Sequence, residues 1–252
     1  MPFTLAHPAI AIPLKRLNGK LSVTALAVGS MVPDFENYFR MQEQHNSWHH
    51  RNGILFFAIP IGILCCYLFH NLLKTTFINN LPTWYRKRFE TDLHVNWNRF
   101  VAKNKAAVFI SLLAGIVLHL FWDGFTHQDG IFVKMIPFLT VSFDLAGYLI
   151  PVHFILQVIS SIAGLFYLQI LIARLPLNPG NNIAAKSNPY YWPILFLVMA
   201  AIILTRLWAS PGIHIYLAIL KACIGAFLYA WVLVSLIFKL IEKYQTSTAL
   251  NE

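Results

Sequence analysis

The chain has 252 residues, of which 58% are hydrophobic and only 12% are charged. This composition excludes an ordinary soluble domain and indicates an integral membrane protein. A net charge of +9 would suit a nucleic-acid-binding protein, but the lysines and arginines lie in loops beside apolar segments, where they anchor and orient membrane proteins. We therefore expect the lipid bilayer, and no nucleic acid, as the partner.

The first 53 residues differ from the rest of the chain. Their two apolar runs, Ile10–Leu14 and Val23–Val32, are too short to cross a bilayer, and basic residues separate them. Short helices of this kind lie at the membrane interface or re-enter the protein interior. The sequence predicts such interfacial or re-entrant helices, packed on the bundle that follows.

Five later stretches reach or approach the roughly 20 apolar residues that a helix needs to cross a hydrocarbon core of about 30 Å. They cover residues 54–73, 106–125, 148–173, 192–209 and 213–238. The sequence therefore predicts an all-α fold. Residues 1–252 would form a single integral membrane domain, with the interfacial segment 1–53 followed by a polytopic helical bundle of about five transmembrane helices in 54–252.

The connection between the first two predicted spans, residues 74–105, carries seven lysines and arginines against Glu90 and Asp92. The positive-inside rule makes this connection cytoplasmic. The end of the second span, residues 123–127, would then lie at the non-cytoplasmic face. The basic residues before the first span count against this orientation, because they would lie on the outer side.

His119 and Asp123 are ionisable residues inside or at the end of the second predicted span. Such side chains cost about 2.5–3.5 kcal/mol each in hydrocarbon, so they usually face a protein interior and have a function there. Residues four apart lie on one face of a helix, where an imidazole and a carboxylate can bind one divalent ion. A buried hydrogen-bonded pair that stabilises the bundle is the structural alternative.

Further candidate ligands are expected near the same membrane face: His7, Asp34, Glu36, His45, His49, His50 and His127. Zinc commonly takes histidine nitrogens and carboxylate oxygens, and a catalytic site leaves a position for a water whose pKa falls towards about 7. Adjacent helical residues point about 100° apart, so only one of His49 and His50 fits. The metal ligands that we predict are His7, Asp34, His49, His119 and Asp123. Asp34 could instead form a turn after Pro33.

Three motifs carry a resemblance to a known family: Met1–Ala9 (MPFTLAHPA), Ala25–Glu36 (ALAVGSMVPDFE) and His119–Gly130 (HLFWDGFTHQDG). With them the chain resembles a bacterial membrane-protein family named domain of unknown function (DUF) 4184. The resemblance implies a multi-pass protein of the bacterial inner, or cytoplasmic, membrane.

The order of His, Pro-Asp, His and HxxxD is also similar to membrane-bound metal-dependent hydrolases of the YdjM type and, more distantly, to zinc-dependent phospholipase C. That resemblance implies zinc ligands at Asp34, His49, His119 and Asp123, with His7 as the early histidine. It favours His49 over His50 because His49 stands four residues before Gly53. The chain lacks an obvious downstream HxxxE motif, which favours one or two metal ions over three.

These patterns predict a membrane-embedded hydrolase that uses zinc or another divalent metal on a phosphoester or ester, such as a lipid. Glu36, His127 or Asp129 would move protons. The alternative is a non-enzymatic membrane protein, either a metal-ion or proton-coupled transporter or a bundle held by a His/Asp clamp. Arg206 and Lys221 in the later spans keep that alternative open. Convergence of the ligands in one place favours the metal site, whereas a transport route distributes polar groups across the bilayer.

Overall fold

The structure is a computed structural model that describes residues 3–42, 53–177, 187–209 and 216–249. Within these ranges, five helices are long and apolar enough to cross a membrane. They are Ile54–Asn80, Lys105–Met135, Val152–Ala173, Tyr191–Ala209 and Ile219–Gln245. The prediction of an all-α membrane bundle with about five spans is confirmed.

Short helices precede the first span. They are α1 (Pro8–Ala11), α2 (Leu14–Leu17), α3 (Val23–Gly29) and α4 (Phe35–Arg40), with 3-10 turns at Thr4–Ala6 and Val32–Asp34. Pro8 is the first residue of α1, because a proline there has the φ angle of a helix and its missing N–H is not needed. The Ser22 side chain caps α3 by accepting a hydrogen bond from the Ala25 N–H at 3.2 Å.

The longer helices follow in order. The run Ile54–Asn80, here α5, contains π-helical turns at Ile54–Ala58 and Phe69–Leu73. After it come α6 (Thr83–Leu93), α7 (Trp97–Lys103), α8 (Lys105–Thr126), α9 (Ile131–Met135), a 3-10 turn at Pro137–Thr140, the strands β1 (Ser142–Leu145) and β2 (Tyr148–Pro151), α10 (Val152–Ala173), α11 (Tyr191–Ala209) and α12 (Tyr216–Ala249).

A β-hairpin, which was not predicted from the sequence, precedes α10, and the third span, predicted to start near Tyr148 and Pro151, begins at Val152. Strands β1 and β2 are antiparallel, with Leu145 opposite Tyr148. Ala146 and Gly147 adopt positive φ angles of 55° and 85°, which match the tight turns of two-residue hairpins. The Asp144 carboxylate accepts a hydrogen bond from the Gly147 N–H at 2.8 Å. Apolar character alone does not distinguish a short strand from the first turn of a helix.

The described residues form two compact units. The first takes them from Met1–Asp34, Asn46–Cys66 and Phe100–Arg174, and the second from Phe35–His45, Tyr67–Arg99 and Leu175–Glu252. In the first unit α3 packs directly on α8. A Cβ atom on Gly115 would lie 2.5 Å from the Leu26 carbonyl oxygen, so glycine allows the two backbones to touch, as small residues do between membrane helices.

The second unit has its own core. Tyr191 and Leu195 of α11 pack with Ala230 and Val234 of α12, and all four are fully buried. Two buried polar residues of α5 join other parts of this unit. The Lys74 ammonium donates to the Asp92 and Val95 carbonyl oxygens at 2.8 and 2.9 Å, and the Asn80 carbonyl accepts from the Trp192 indole at 2.7 Å.

Candidate metal centre

His119 and Asp123 face the interior of the first unit from the C-terminal half of α8. Both are buried, and Nε2 of His119 lies 3.1 Å from Oδ2 of Asp123. At 1.5 Å per residue, they stand about 21 and 27 Å along α8 from its first residue, Lys105. The pair is therefore near one end of the span rather than at its middle.

A backbone carbonyl orients the His119 ring. Nδ1 of His119 lies 2.9 Å from the Ser30 carbonyl oxygen, and because a carbonyl can only accept, Nδ1 must carry the hydrogen. Histidines that bind metals usually donate their second ring N–H in this way, which fixes the tautomer and the ring orientation. In the neutral ring, Nε2 then presents its lone pair to the carboxylate of Asp123.

His7 stacks on this imidazole from the N-terminal segment. The ring centroids of His7 and His119 are 4.1 Å apart with planes inclined by 25°, and Nε2 of His7 is 3.7 Å from Oδ1 of Asp123. His7 is fully buried, and neither of its ring nitrogens has a hydrogen-bond partner among the described residues. Burial, aided by the neighbouring His119 and opposed by Asp123, lowers the pKa of His7 well below its usual 6.5. The ring is therefore neutral, the form that binds metals.

The three side chains can reach one ion. One ligand atom each from His7, His119 and Asp123 lies within 4.8 Å of the other two. Zinc with nitrogen and oxygen ligands at about 2.0–2.1 Å requires ligand atoms about 3.3 Å apart in a tetrahedron. The observed separations belong to different carboxylate oxygens of Asp123, with Oδ2 3.1 Å from Nε2 of His119 and Oδ1 3.7 Å from Nε2 of His7, so binding one ion through a single oxygen requires the side chains to adjust. Two histidines and a carboxylate also match a common ligand set of catalytic zinc.

Asp34 borders this group from the 3-10 turn that follows α3. Its Oδ1 lies 3.7 Å from Nε2 of His119. Its other oxygen, Oδ2, accepts a hydrogen bond from the Thr4 hydroxyl. Thr4 therefore holds one carboxylate oxygen, while the other lies beside His119. Asp34 is not among the three residues whose ligand atoms all lie within 4.8 Å of one another, so its role as a metal ligand stays a prediction.

His127 stands where the site meets the surface. Its side chain is 41% exposed, and its Nδ1 lies 3.5 Å from Oδ1 of Asp123. On the other side, the Gln157 amide nitrogen of α10 is 3.5 Å from Nε2 of His127. The imidazole thus connects the buried carboxylate with the exterior, where a group that exchanges protons with water must be.

The remaining predicted residues are placed differently. Asp129 is almost fully exposed, 3.8 Å from the Lys134 ammonium. Glu36 belongs to the second unit, where Nε of Arg40 lies 3.3 Å from its carboxylate. His49, the fifth predicted ligand, and its competitor His50 lie outside the described residues. The roles of these residues stay predictions.

Sequence reasoning missed Thr4, the Ser30 carbonyl and Gln157. A backbone carbonyl carries no signal in the sequence. Thr4 stands three residues before His7, but a lone hydroxyl residue near a terminus is common. Gln157 offered the clearest signal, because it is a buried amide in the largely apolar helix α10, and polar residues within spans usually face a functional interior.

Comparison with known proteins identifies the family. The family described as "Domain of unknown function (DUF4184)" matches residues 1–245, so the chain belongs to it, and the resemblance seen in the sequence is confirmed. No curated protein and no solved structure matches the chain significantly. The more distant similarity to YdjM-type hydrolases stays a prediction.

Proposed function

We propose that this member of the DUF4184 family is a membrane-embedded, metal-dependent hydrolase. Zinc is the preferred ion, and a phosphoester or ester, such as that of a lipid at the membrane interface, is the preferred substrate. The observation that carries the proposal is the convergence of His7, His119 and Asp123 within 4.8 Å in a buried setting. Two of these residues come from α8 and the third from a segment more than 100 positions earlier.

The environment of His7 supports metal binding over a simple clamp of His119 and Asp123. A clamp needs a proton on Nε2 of His119 to pair with Asp123. It would leave His7, which is neutral and has no hydrogen-bond partner among the described residues, without a role. A divalent ion uses all three side chains at once and removes the cost of burying His7 without partners.

Each residue has a distinct task in this proposal. His7, His119 and Asp123 hold the ion, and Asp34, oriented by Thr4, completes its surroundings. A bound zinc ion supplies a coordinated water of lowered pKa and stabilises developing negative charge. His127 is half-exposed beside Asp123 and is the best placed of the three predicted proton carriers to exchange protons with solvent.

The position of the site supports a substrate at one membrane face. His119 and Asp123 lie in the C-terminal half of α8. The basic connection between α5 and α8 favours the cytoplasm for the opposite end of α8. We therefore place the site towards the non-cytoplasmic face of the bacterial inner membrane, where a lipid or lipid-linked phosphoester can approach from the bilayer surface.

A hydrolysis assay tests the enzymatic part. The purified chain, in phospholipid vesicles, would be treated with a chelator, reloaded with zinc and given bis(p-nitrophenyl) phosphate, p-nitrophenyl acetate and a fluorescent phosphatidylglycerol. We expect at least one to be hydrolysed, the chelator to abolish turnover, and His119→Ala to lower the rate by at least about 100-fold, the typical loss when a catalytic electrostatic group is removed. The matched control is His94→Ala, at an exposed histidine of the second unit.

The same experiment separates the alternatives. Metal binding without turnover of any substrate would refute the hydrolase proposal and favour transport, which zinc uptake into the vesicles would reveal. If the protein shows no metal binding and no turnover, the structural clamp remains as the role of the His/Asp group.

A further inference from the structure

The segment Ile131–Pro151, here the hairpin segment, is apolar, although only its first five residues, Ile131–Met135, belong to a helical run long and apolar enough to cross a membrane. It joins α8 to α10 through α9, a 3-10 turn and the strands β1 and β2. Among its 21 residues only Lys134 and Asp144 are charged. The 22 residues of α8 already extend about 33 Å, enough to cross the hydrocarbon core without it. The hairpin segment therefore lies at the membrane surface from which α8 emerges.

Its large apolar side chains point outward. They are Ile131, Met135, Ile136, Phe138, Val141, Phe143, Leu145, Tyr148 and Leu149, all at least 40% exposed. Val133 and Leu139 are the buried exceptions that attach the segment to the rest of the unit. A continuous apolar surface of this size is rare on a face that meets only water and marks a site of interaction.

The register of the hairpin places four apolar residues on one of its faces. Residues directly opposite each other in an antiparallel pair point to the same side. Phe143 with Ile150 and Leu145 with Tyr148 therefore form one wholly apolar face, which we name the apolar hairpin face. The reverse face is mixed, because Ser142 and Asp144 lie there opposite Pro151 and Leu149. The turn that joins the strands is held by the hydrogen bond from the Gly147 N–H to Asp144, so the apolar side chains at its tip keep their orientation.

We propose that the apolar hairpin face inserts into the lipid leaflet on the side of the metal centre, at the boundary between headgroups and acyl chains. Continuity with the membrane carries this choice, because both ends of the segment enter spanning helices. The outer edges of a two-stranded hairpin present unpaired backbone groups, which excludes the hydrocarbon core and fits the hydrated interface. Tyr148, which is 74% exposed, is typical of the aromatic belts at that depth, and Lys134 can pair with lipid phosphates. The proposal does not depend on hydrolase activity.

Site-directed spin labelling tests the insertion. In a background with Cys65, Cys66 and Cys223 replaced by alanine, single cysteines at positions 142, 143, 144, 145 and 148 would carry nitroxide labels. The full chain would be placed in vesicles of phosphatidylethanolamine and phosphatidylglycerol. Collision with oxygen reports contact with lipid, and collision with a water-soluble nickel complex reports contact with water. Val117→Cys, exposed on α8 within the span, is the lipid reference, and Lys87→Cys, exposed on α6, is the aqueous reference.

We expect labels at 143, 145 and 148 to favour oxygen, as at Val117, and labels at 142 and 144 to favour the nickel complex, as at Lys87. Preference for the nickel complex at all five positions would overturn the proposal. The proposal would also be overturned if the labels collided little with either reagent and showed spin–spin broadening, because that result shows a second copy of the chain on this face. Five independent positions keep the test decisive if one variant fails to fold, which circular dichroism would reveal.

Discussion

Two buried polar residues, one in each compact unit, are accommodated in opposite ways. In the second unit Lys74 is 3% exposed, and its ammonium donates to two backbone carbonyls. In the first unit His7 is 0% exposed, yet neither ring nitrogen has a hydrogen-bond partner among the described residues. Buried polar atoms are nearly always paired. On the proposed function, the difference separates a polar residue that supports the fold from one that is available to bind a ligand.

The neighbourhoods of the two residues repeat the contrast. Asn71 and Asn98, near Lys74, hydrogen-bond to each other through both amides. Around His7, by contrast, ligand atoms of His7, His119 and Asp123 all lie within 4.8 Å of one another. Proteins break such local rules mainly at functional sites and compensate the cost elsewhere in the fold.

Of the three substitutions that follow, the one that disrupts the contact between α3 and α8 should lower the free energy of unfolding most. We expect Gly115→Ala to lower the free energy of unfolding by about 3 kcal/mol or more, because overpacking against rigid backbone is costly. The new Cβ would meet the Leu26 carbonyl oxygen at 2.5 Å and the Ser30 nitrogen at 2.7 Å. Thermal unfolding in detergent measures the loss.

Gly19→Ala is the matched control, because no atom lies within 4 Å of a Cβ there. Alanine is also the better helix former, so any loss at position 115 comes from the contact. Equal stability of the two variants would mean that α3 and α8 do not pack as described.

Replacing Lys74, whose ammonium is hydrogen-bonded to two backbone carbonyls, should lower the free energy of unfolding by an intermediate amount. Lys74→Met would leave the Asp92 and Val95 carbonyls without their donor, and we expect a loss of about 1–3 kcal/mol. Lys87→Met, at an exposed position of α6, should change stability by less than about 0.5 kcal/mol. If the two lysines proved equivalent, the supporting role of Lys74 would be lost.

Replacing His7, whose ring nitrogens have no hydrogen-bond partner among the described residues, should change the free energy of unfolding least. Unlike the other two substitutions, it is not expected to lower this free energy. In chelator-treated protein, His7→Leu should leave the free energy of unfolding unchanged or raise it by about 1 kcal/mol, because a buried polar ring without hydrogen bonds gives way to an apolar side chain. If His7→Leu lowered the free energy of unfolding as much as Lys74→Met, His7 would be a structural residue like Lys74, and the contrast between the two residues would disappear.

Much of this arrangement could be predicted from the sequence, because the relevant signals are local. Composition and the lengths of the apolar runs predicted the membrane bundle. The i, i+4 spacing placed His119 and Asp123 on one helical face, and the structure has them 3.1 Å apart. Helical periodicity is a property of neighbouring residues, so it requires no knowledge of tertiary packing.

The rest depends on contacts between distant parts of the chain. His7 reaches His119 across 112 positions through tertiary packing, in a unit where α3 also approaches α8 closely at Gly115. No spacing rule encodes that approach. The hairpin was missed for a different reason, since the apolar run from Tyr148 satisfies the length and hydropathy of a helix, and only the turn at Ala146 and Gly147 distinguishes it.

Metal analysis tests the central claim most directly. The purified chain and the double variant His119→Ala/Asp123→Ala would be analysed for bound divalent metal by mass spectrometry after zinc loading and removal of free ion, with His94→Ala as control. A buried centre built from His7, His119 and Asp123 predicts stoichiometric zinc in the parent chain and in the control, and its loss from the double variant. Equal metal content in all three proteins would contradict the assignment of this site.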